Sequence, residues 1–296
     1  MEPAVFLGGP QQARTVSIIS WNLNGVKTKL EKDNVKELLY RYDVISVNEM
    51  KTPSSISLPG YVTYRSAVRG SSERGGTVLF IKNHVSKLIS SVDTNIEDQI
   101  WIQLRGIPDC VFGFCYYILP CDSRYYSHES FSSIQEKIMS DGACKKCFIF
   151  GDMNTRFGSS VLELPEVVGL PGYTYSQIAD DVPLPNDNAF ILSSICKECK
   201  SFVVNNLKPP YKHFHGGKTF RKNGVWISEL DVCVVSSAAV GMVEEFSVLH
   251  DESLPSDHAP VSVKMSLPYV DVEDLLDRAS HLGERAVNLG MSLTNR

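Results

Sequence analysis

The stretch CFIFGDMN, residues 147–154, joins four apolar residues to a turn that carries an acid and an amide. A short apolar run is typical of a buried strand, and Gly, Asp and Asn favour turns. Two earlier stretches have the same form: residues 16–21 (VSIISW) lead to Asn22, and residues 43–48 (DVISVN) lead to Glu49. The sequence therefore predicts buried strands whose ends present polar side chains.

Further strands and a few helices are predicted along the chain. A hairpin is expected about Asn223-Gly224, joining residues 218–222 to residues 225–236, because Asn-Gly is a strong hairpin signal. Many strands with few helices predict an α/β fold of two packed sheets with helices outside. The remaining predicted strands are residues 76–81, 99–104, 110–117, 202–205 and 258–265, and the predicted helices are residues 29–40, 131–139 and 190–200.

The bulk composition fits one large globular domain in a reducing compartment. The chain has 296 residues and a net charge of −5. We expect residues 15–268 to form the domain, between a flexible segment 1–14 and an acidic amphipathic helix within 269–296. No apolar run is long enough to span a membrane, and residues 1–12 lack a secretory signal pattern. The eight cysteines are then expected to be free thiols, which predicts a nuclear or cytoplasmic protein.

Five short polar clusters are the candidates for chemistry. Each alone has an ordinary explanation as a turn, cap or surface feature, but their joint occurrence is not expected by chance. Because the end of one strand and the start of its antiparallel neighbour share an edge, we expect the clusters to converge on one rim. The clusters are Trp21-Asn22-Leu23-Asn24-Gly25, Asn48-Glu49, Gly151-Asp152-Met153-Asn154, Ser228-Glu229-Leu230-Asp231 and Ser256-Asp257-His258.

In this order the clusters resemble the endonuclease/exonuclease/phosphatase superfamily over residues 16–267, nearly the whole chain. The superfamily includes DNase I, exonuclease III-type abasic-site endonucleases, inositol-polyphosphate phosphatases and neutral sphingomyelinases. The resemblance implies a DNase I-like four-layer sandwich, in which two mixed β-sheets are flanked by helices. It also implies a metal-dependent phosphodiesterase.

The resemblance further implies roles for the polar residues. Glu49, with Asn22 and Asp257 nearby, would bind a divalent cation. Oxygen ligands suit a hard cation, Mg²⁺ first and Mn²⁺ as the alternative. Asp152 would orient or deprotonate the attacking water, and Asn154 would bind the phosphate.

The same resemblance pairs His258 with Asp231, which would fix the tautomer of the imidazole and favour its charged form. Tyr117 would donate to the phosphate, and Tyr116 is a competing choice for this role. Asn24, Ser228 and Ser256 are predicted as supporting residues.

Details favour the endonuclease domain of non-LTR (LINE-type) retrotransposons. Residues 151–158 (GDMNTRFG), residues 74–76 (RGG) and Thr219-Phe220, twelve residues before Asp231, resemble that group. This implies a DNA-nicking enzyme, with a reverse transcriptase region of a longer product as a partner. The alternatives are an abasic-site repair endonuclease, a phosphatase or phospholipase of the same superfamily, and a catalytically dead DNA-binding module. The repair alternative is second, because Asn24 stands where repair enzymes usually carry Asp.

A basic and aromatic segment supports DNA as the partner. Residues 208–222 hold five Lys and Arg residues, no acid and several aromatic side chains, as contacts to phosphates and bases require. A solvated loop is the ordinary alternative. Lys29 is expected on a solvated helix face. The residues predicted to contact DNA are Lys212, Lys218, Thr219, Arg221, Lys222 and Asn223.

Overall fold

A computed structural model describes residues 14–26, 28–51, 56–67, 75–116, 129–140, 143–158, 174–175, 184–208 and 213–268. The helices are α1 (Asp33–Leu39), α2 (Asn83–Ser86), α3 (Glu129–Ile138) and α4 (Asp187–Glu198), with 3₁₀ turns at Val204–Asn206 and Val240–Met242. The strands are β1 (Arg14–Asn22), β2 (Val44–Asn48), β3 (Tyr61–Arg65), β4 (Thr77–Lys82), β5 (Ile89–Asp93), β6 (Gln99–Leu104), β7 (Ile107–Tyr116), β8 (Met139–Ser140), β9 (Ala143–Cys144), β10 (Lys146–Asp152), β11 (Thr174–Tyr175), β12 (Ser201–Val203), β13 (Leu207–Lys208), β14 (His213–His215), β15 (Phe220–Lys222), β16 (Val225–Ser228), β17 (Asp231–Ser236), β18 (Val243–Val248) and β19 (Val261–Leu267).

Two mixed sheets contain most of the strands. The first has seven strands in the order β14-β18-β19-β1-β2-β4-β3, and the second has six in the order β12-β17-β10-β7-β6-β5. In the first sheet β1 is parallel to β2 and antiparallel to β19. In the second, β10 is parallel to β7 and antiparallel to β17. The predicted fold of two mixed sheets is confirmed.

Alternate side chains of the central strands belong to different layers of the core. Phe148 and Phe150 of β10 pack between the two sheets, whereas Ile149 belongs to the core shared with α3 and α4. Likewise Ile18 of β1 lies between the sheets, and Ile19 packs in the core that includes α1. Because successive strand residues face opposite sides, the layers follow as α1, first sheet, second sheet, and α3 with α4.

Some element boundaries differ from the sequence prediction. The helix predicted over residues 29–40 is confined to Asp33–Leu39, and the Lys29 ammonium bonds backbone carbonyl oxygens of the turn after β1. The single strand predicted over residues 225–236 is two strands, β16 in the hairpin and β17 in the second sheet. The last strand begins at Val261 rather than His258, because Pro260 has no N–H to donate to the ladder.

Several predicted features lie outside the described residues: Tyr117, Lys212, and the segments 1–13 and 269–296. None of the described helices combines the length and the apolar character that crossing a bilayer requires. In the part of the chain that the structure describes, the free cysteines are Cys110, Cys115, Cys147, Cys196, Cys199 and Cys233.

Candidate active site

Four strand termini meet at one edge of the sandwich. β1 and β2 are paired in parallel with Asn22 opposite Asn48, so Glu49 follows directly at this edge. β10 and β17 are antiparallel, with Asp152 at the end of β10 opposite Asp231 at the start of β17. The structure therefore brings the strand-end residues of the polar clusters together, as the pattern of the sequence indicated.

Side-chain hydrogen bonds bridge the two sheets at this edge, which we call the seam. Asn22 Nδ2, from the first sheet, donates to Asp152 Oδ2 of the second sheet at 2.8 Å. Asn48 Nδ2 donates to the carbonyl oxygen of Cys115 in β7 at 3.3 Å. The Asn22 Oδ1 atom accepts the backbone N–H of Asn24 at 2.8 Å, which fixes the orientation of the amide. The candidate site thus spans both sheets.

A buried charged group lies at the seam. Asp152, Asp231 and His258 each offer an atom within 4.8 Å of the others, and His258 Nδ1 lies 2.7 Å from Asp231 Oδ2. Burial lowers the pKa of His258, but the charges of Asp231, Asp152 and Asp257 and the hydrogen bond to Asp231 outweigh it and raise that pKa to about 10. Burial, and then the charge of Asp231, raise the pKa of Asp152 to about 7. At neutral pH His258 is therefore a cation, while Asp152 is close to its midpoint of ionisation.

The turn after β10 holds the Asp152 carboxylate from its other side. The backbone N–H of Asn154, which has a φ of +47°, donates to Asp152 Oδ1 at 2.9 Å. Gly151 has a φ of +141°, and a Cβ added there would lie 1.8 Å from the carbonyl oxygen of Cys115. Glycine is therefore required before Asp152 by the close approach of β7, in addition to its backbone conformation.

The more exposed side of the seam carries a second set of charges. Lys51 Nζ lies 2.8 Å from Glu49 Oε1 and 2.5 Å from Asn24 Oδ1. Asn24 Nδ2 in turn donates to both carboxylate oxygens of Asp257, at 3.2 and 3.3 Å. Lys29 Nζ donates to the carbonyl oxygen of Asn24 at 2.9 Å, and burial lowers the pKa of Lys29. These contacts connect the predicted metal ligands Glu49 and Asp257 through the Lys51 ammonium and the Asn24 amide.

The oxygen atoms at the seam fit a hard divalent cation. The carboxylates of Glu49 and Asp257 and the amide oxygen of Asn22 are ligands of the kind that Mg²⁺ and Mn²⁺ accept. Among the described residues, the buried Asp231 Oδ1 atom has no hydrogen-bond partner. Burial, and then the charge of Asp231, raise the pKa of Asp152, and a nearby cation would favour its ionised form. A cation would be held by Glu49 and Asp257 on the exposed side, with the buried charged group beneath.

Buried hydrogen bonds fix the loop that carries Asp257 and His258. Ser256 Oγ donates to the carbonyl oxygen of Asn22 at 2.7 Å and accepts the N–H of His258 at 3.2 Å. Trp21 Nε1 donates to the carbonyl oxygen of His258 at 2.8 Å. Ser256, which was predicted as a supporting residue, therefore links the end of β1 to the backbone of His258.

Of the residues predicted to contact DNA, Thr219 is buried, and the half-buried Arg221 is bonded to a neighbouring loop. Thr219 is fully buried, and its Oγ1 accepts the backbone N–H groups of Leu230 and Asp231, each at 2.9 Å. Arg221 Nη2 donates to two carbonyl oxygens of the loop before His258, at 3.1 and 2.9 Å. The prediction of DNA contact is wrong for Thr219, which fixes the start of β17. Arg221 anchors the hairpin to the loop that carries Asp257 and His258.

The tip of the β15–β16 hairpin is exposed beside the buried charged group. Lys222 and Asn223 are exposed, and so is Val225, at 60% of its surface. Asn223 has a φ of +52°, as a tight Asn-Gly turn requires. At the base of the hairpin the ring of Phe220 lies 5.1 Å from the ring of His258. The hairpin therefore projects polar and apolar side chains next to the candidate site.

The sequence did not indicate that two cations and one aromatic ring would lie at this site. Lys51 stands two residues after Glu49, and this spacing was the available signal. Lys29 was expected on a solvated helix face, but it is partly buried against the turn after β1. The ring of Phe220 contacts His258. The sequence had placed Phe220 in a strand and in the basic and aromatic segment 208–222, but not beside the histidine. Of the other predicted residues, Lys218 is half-buried and Ser228 is buried.

The sequence and the fold are both similar to those of known proteins. The sequence matches the endonuclease/exonuclease/phosphatase family over residues 19–258, whereas no curated protein matches it. Among solved structures, a 3′-5′ exonuclease from Neisseria meningitidis is similar with a TM-score of 0.57 and 16% identity, covering 84% of this chain and 99% of that one. An AP endonuclease from Archaeoglobus fulgidus has a TM-score of 0.55 and 15% identity over 84% of this chain and 98% of that one.

The endonuclease domain of TRAS1, a telomere-specific non-LTR retrotransposon, has a TM-score of 0.52 and 14% identity, covering 86% of this chain and all of the other (100%). Identities this low show the shared fold alone. The family match, however, spans most of the sequence and ends at the histidine of the seam. The chain belongs to the endonuclease/exonuclease/phosphatase family.

Proposed function

We propose that this protein is a metal-dependent phosphodiesterase that nicks DNA, with Mg²⁺ or Mn²⁺ as its cation. Its role would be like that of the target-site endonuclease of a non-LTR retrotransposon. The observation that carries the proposal is the seam itself, where Asp152 is bound by Asn22 and His258 is bound by Asp231. Membership of the family supports phosphate-ester chemistry, and the similarity to the TRAS1 endonuclease domain supports DNA as the substrate.

The buried residues have the properties that hydrolysis requires. Asp152, with a pKa of about 7, is suited to take a proton from an attacking water at neutral pH. His258 stays charged and would stabilise negative charge on the phosphate, while Asp231 fixes its Nδ1. Asn154 and Tyr117 are proposed to bind the phosphate. A divalent cation held by the half-buried carboxylates of Glu49 and Asp257 would neutralise charge on the phosphate and the leaving oxygen.

The β15–β16 hairpin is proposed to carry residues that contact DNA. Because Phe220 at the base of the hairpin packs on His258, DNA whose phosphate reaches His258 would pass close to the hairpin. Lys222 and Asn223 are exposed at that tip, with Lys218 and Lys212 proposed as further phosphate contacts. A reverse transcriptase region of a longer product would extend the 3′ hydroxyl that the nick exposes.

Nicking of supercoiled plasmid in Mg²⁺ or in EDTA tests the proposal. The wild-type protein would be compared with Asp152→Ala and with Glu245→Gln, which changes an exposed acid paired with Lys264 far from the seam in β18 and β19. We expect metal-dependent nicking by the wild type and by Glu245→Gln, and none by Asp152→Ala. Folded wild-type protein that leaves plasmid intact would contradict the proposal.

An oligonucleotide duplex with one abasic site is the second substrate. Comparable cleavage of duplexes with and without the abasic site is the expected result, since the target-site role needs intact DNA. Cleavage confined to the abasic site would replace the retrotransposon-type role with a repair role.

A further inference from the structure

We propose that Lys51 is a counter-cation built into the site, which occupies the Glu49 carboxylate in the metal-free protein and is displaced when a divalent cation binds. This inference rests on the proposed function, in which Glu49 is a metal ligand. The contact that motivates it is the ion pair of Lys51 Nζ with Glu49 Oε1 at 2.8 Å. The same ammonium lies 2.5 Å from Asn24 Oδ1, so it sits between two oxygen atoms of the exposed side of the seam.

The backbone holds Lys51 in this place. The segment after β2 runs beside the turn after β1, with Gly25 N bonded to the Glu49 carbonyl at 2.9 Å and Val26 N bonded to the Met50 carbonyl at 3.2 Å. Glu49 and Lys51 have φ values of +57° and +51°, a conformation that residues other than glycine rarely adopt. Such backbone persists where the surrounding structure imposes it. The two loops therefore fix the backbone positions of Glu49 and Lys51 relative to each other, while the Lys51 side chain keeps its own freedom to move.

Among the described cations of the seam, Lys51 has the ammonium that is least constrained. His258 is buried and bonded to Asp231, and Lys29 Nζ is bound to backbone carbonyl oxygens. The Lys51 side chain is 40% exposed, and the Glu49 side chain is 20% exposed. A lysine ammonium on its four-carbon stem can swing into solvent at little cost. An arriving cation that needs Glu49 would therefore displace Lys51 rather than the other two.

If a divalent cation must displace Lys51 from Glu49, then Lys51 weakens the binding of that cation. The ammonium and the metal ion compete for one carboxylate, and they repel each other at close range. Removing the ammonium while keeping an apolar stem, as in Lys51→Met, leaves Glu49 without its partner. We expect about fivefold tighter binding of Mn²⁺, the upper range for releasing an exposed ion pair.

The experiment is direct titration of Mn²⁺ into the DNA-free protein, with free Mn²⁺ measured by electron paramagnetic resonance. Lys51→Arg keeps the cation and should bind within about twofold of the wild type. Lys32→Met is the matched control, because it removes an exposed lysine near the site that has no contact with Glu49. This variant should change the affinity for Mn²⁺ by less than about twofold. Glu49→Gln should weaken binding and should abolish the effect of Lys51→Met in the double variant. Circular dichroism checks that each variant is folded.

Each outcome decides the proposal. Unchanged or weaker Mn²⁺ binding by Lys51→Met overturns it, as does equal tightening by Lys32→Met, which would assign the effect to net charge. If Glu49→Gln weakens binding but Lys51→Met has no effect, the exchange alone is refuted and the proposed cation site stands. If the wild type and Glu49→Gln bind Mn²⁺ alike, the cation site at Glu49 is itself refuted, and the exchange with it.

Discussion

Replacing Asp152 by Asn isolates the energetic effect of ionising the buried acid. The pKa of Asp152 is raised from its ordinary 3.8 to about 7, first by burial and then by the charge of Asp231. The folded protein therefore binds this proton more tightly than the unfolded chain does. It follows that the free energy of unfolding of the wild type falls as the pH rises from about 4 to about 7. Three pKa units correspond to about 4 kcal/mol.

An asparagine side chain at position 152 has no charge to bury, but it has one hydrogen-bond acceptor oxygen fewer than the aspartate. Asp152 accepts hydrogen bonds from Asn22 and from the N–H of Asn154, so the NH₂ group of an Asn side chain must face one of these donors. This mismatch costs about 1–2 kcal/mol. In EDTA we therefore expect Asp152→Asn to be about 1 kcal/mol less stable than the wild type at pH 4 and about 2–3 kcal/mol more stable at pH 8.

Urea unfolding followed by tryptophan fluorescence at pH 4, 6 and 8 measures this difference. Asp43→Asn is a control of opposite sign. Burial would raise the pKa of Asp43, but hydrogen bonds from Ser17 and Lys82 outweigh it and lower that pKa, so its stabilising effect is present above pH 4 and is lost on acidification. A difference between Asp152→Asn and the wild type that does not change with pH would refute the reasoning.

Three other variants test the rest of the site. Thr219→Val leaves two buried backbone N–H groups without their acceptor and should lower the free energy of unfolding in urea by about 2–4 kcal/mol. Thr219→Ser keeps the hydroxyl and should have a free energy of unfolding within about 1 kcal/mol of the wild type. Equal losses in the two variants would contradict this role of the hydroxyl. Lys222→Ala should weaken duplex binding and reduce the slope of log affinity against log salt by about one, and an unchanged slope would show that Lys222 contacts no phosphate. Burial lowers the pKa of His258, but Asp231 raises it to about 10, so its stabilisation is complete below about pH 6.5 and is lost as the pH rises through about 10. In EDTA the stability gap between the wild type and His258→Asn should narrow over that range, and a constant gap would argue against a charged pair.

The sequence predicted the residues at the seam well, because strand ends are visible as apolar runs that stop at a polar residue. The runs before Asn22, Glu49 and Asp152 are short and rich in β-branched or aromatic residues, so their limits could be read to within about two residues. Since neighbouring strand ends share an edge, convergence on one rim followed from the pattern. The described structure has this convergence.

Features that depend on tertiary contacts could not be read in the same way. β18 was not predicted, because a bulge between Val243 and Glu245 interrupts its period of two. Thr219 looks like a polar residue of a basic loop, yet it is buried because two N–H groups across the hairpin need its hydroxyl. Lys29 falls within helical periodicity, and only the folded turn after β1 offers its ammonium carbonyl oxygens.

The seam has a consequence for the interior of the protein. Asn22 and Asp152 come from different sheets, and the distance between those sheets is maintained by aromatic side chains, including the stacked rings of Phe114 and Phe150, 5.4 Å apart. The alignment of the groups at the seam is therefore set by interior volume as well as by the residues that form the seam. A large-to-small substitution in this layer would shift Asn22 relative to Asp152 without replacing either residue, so the seam also restricts how the core can be filled.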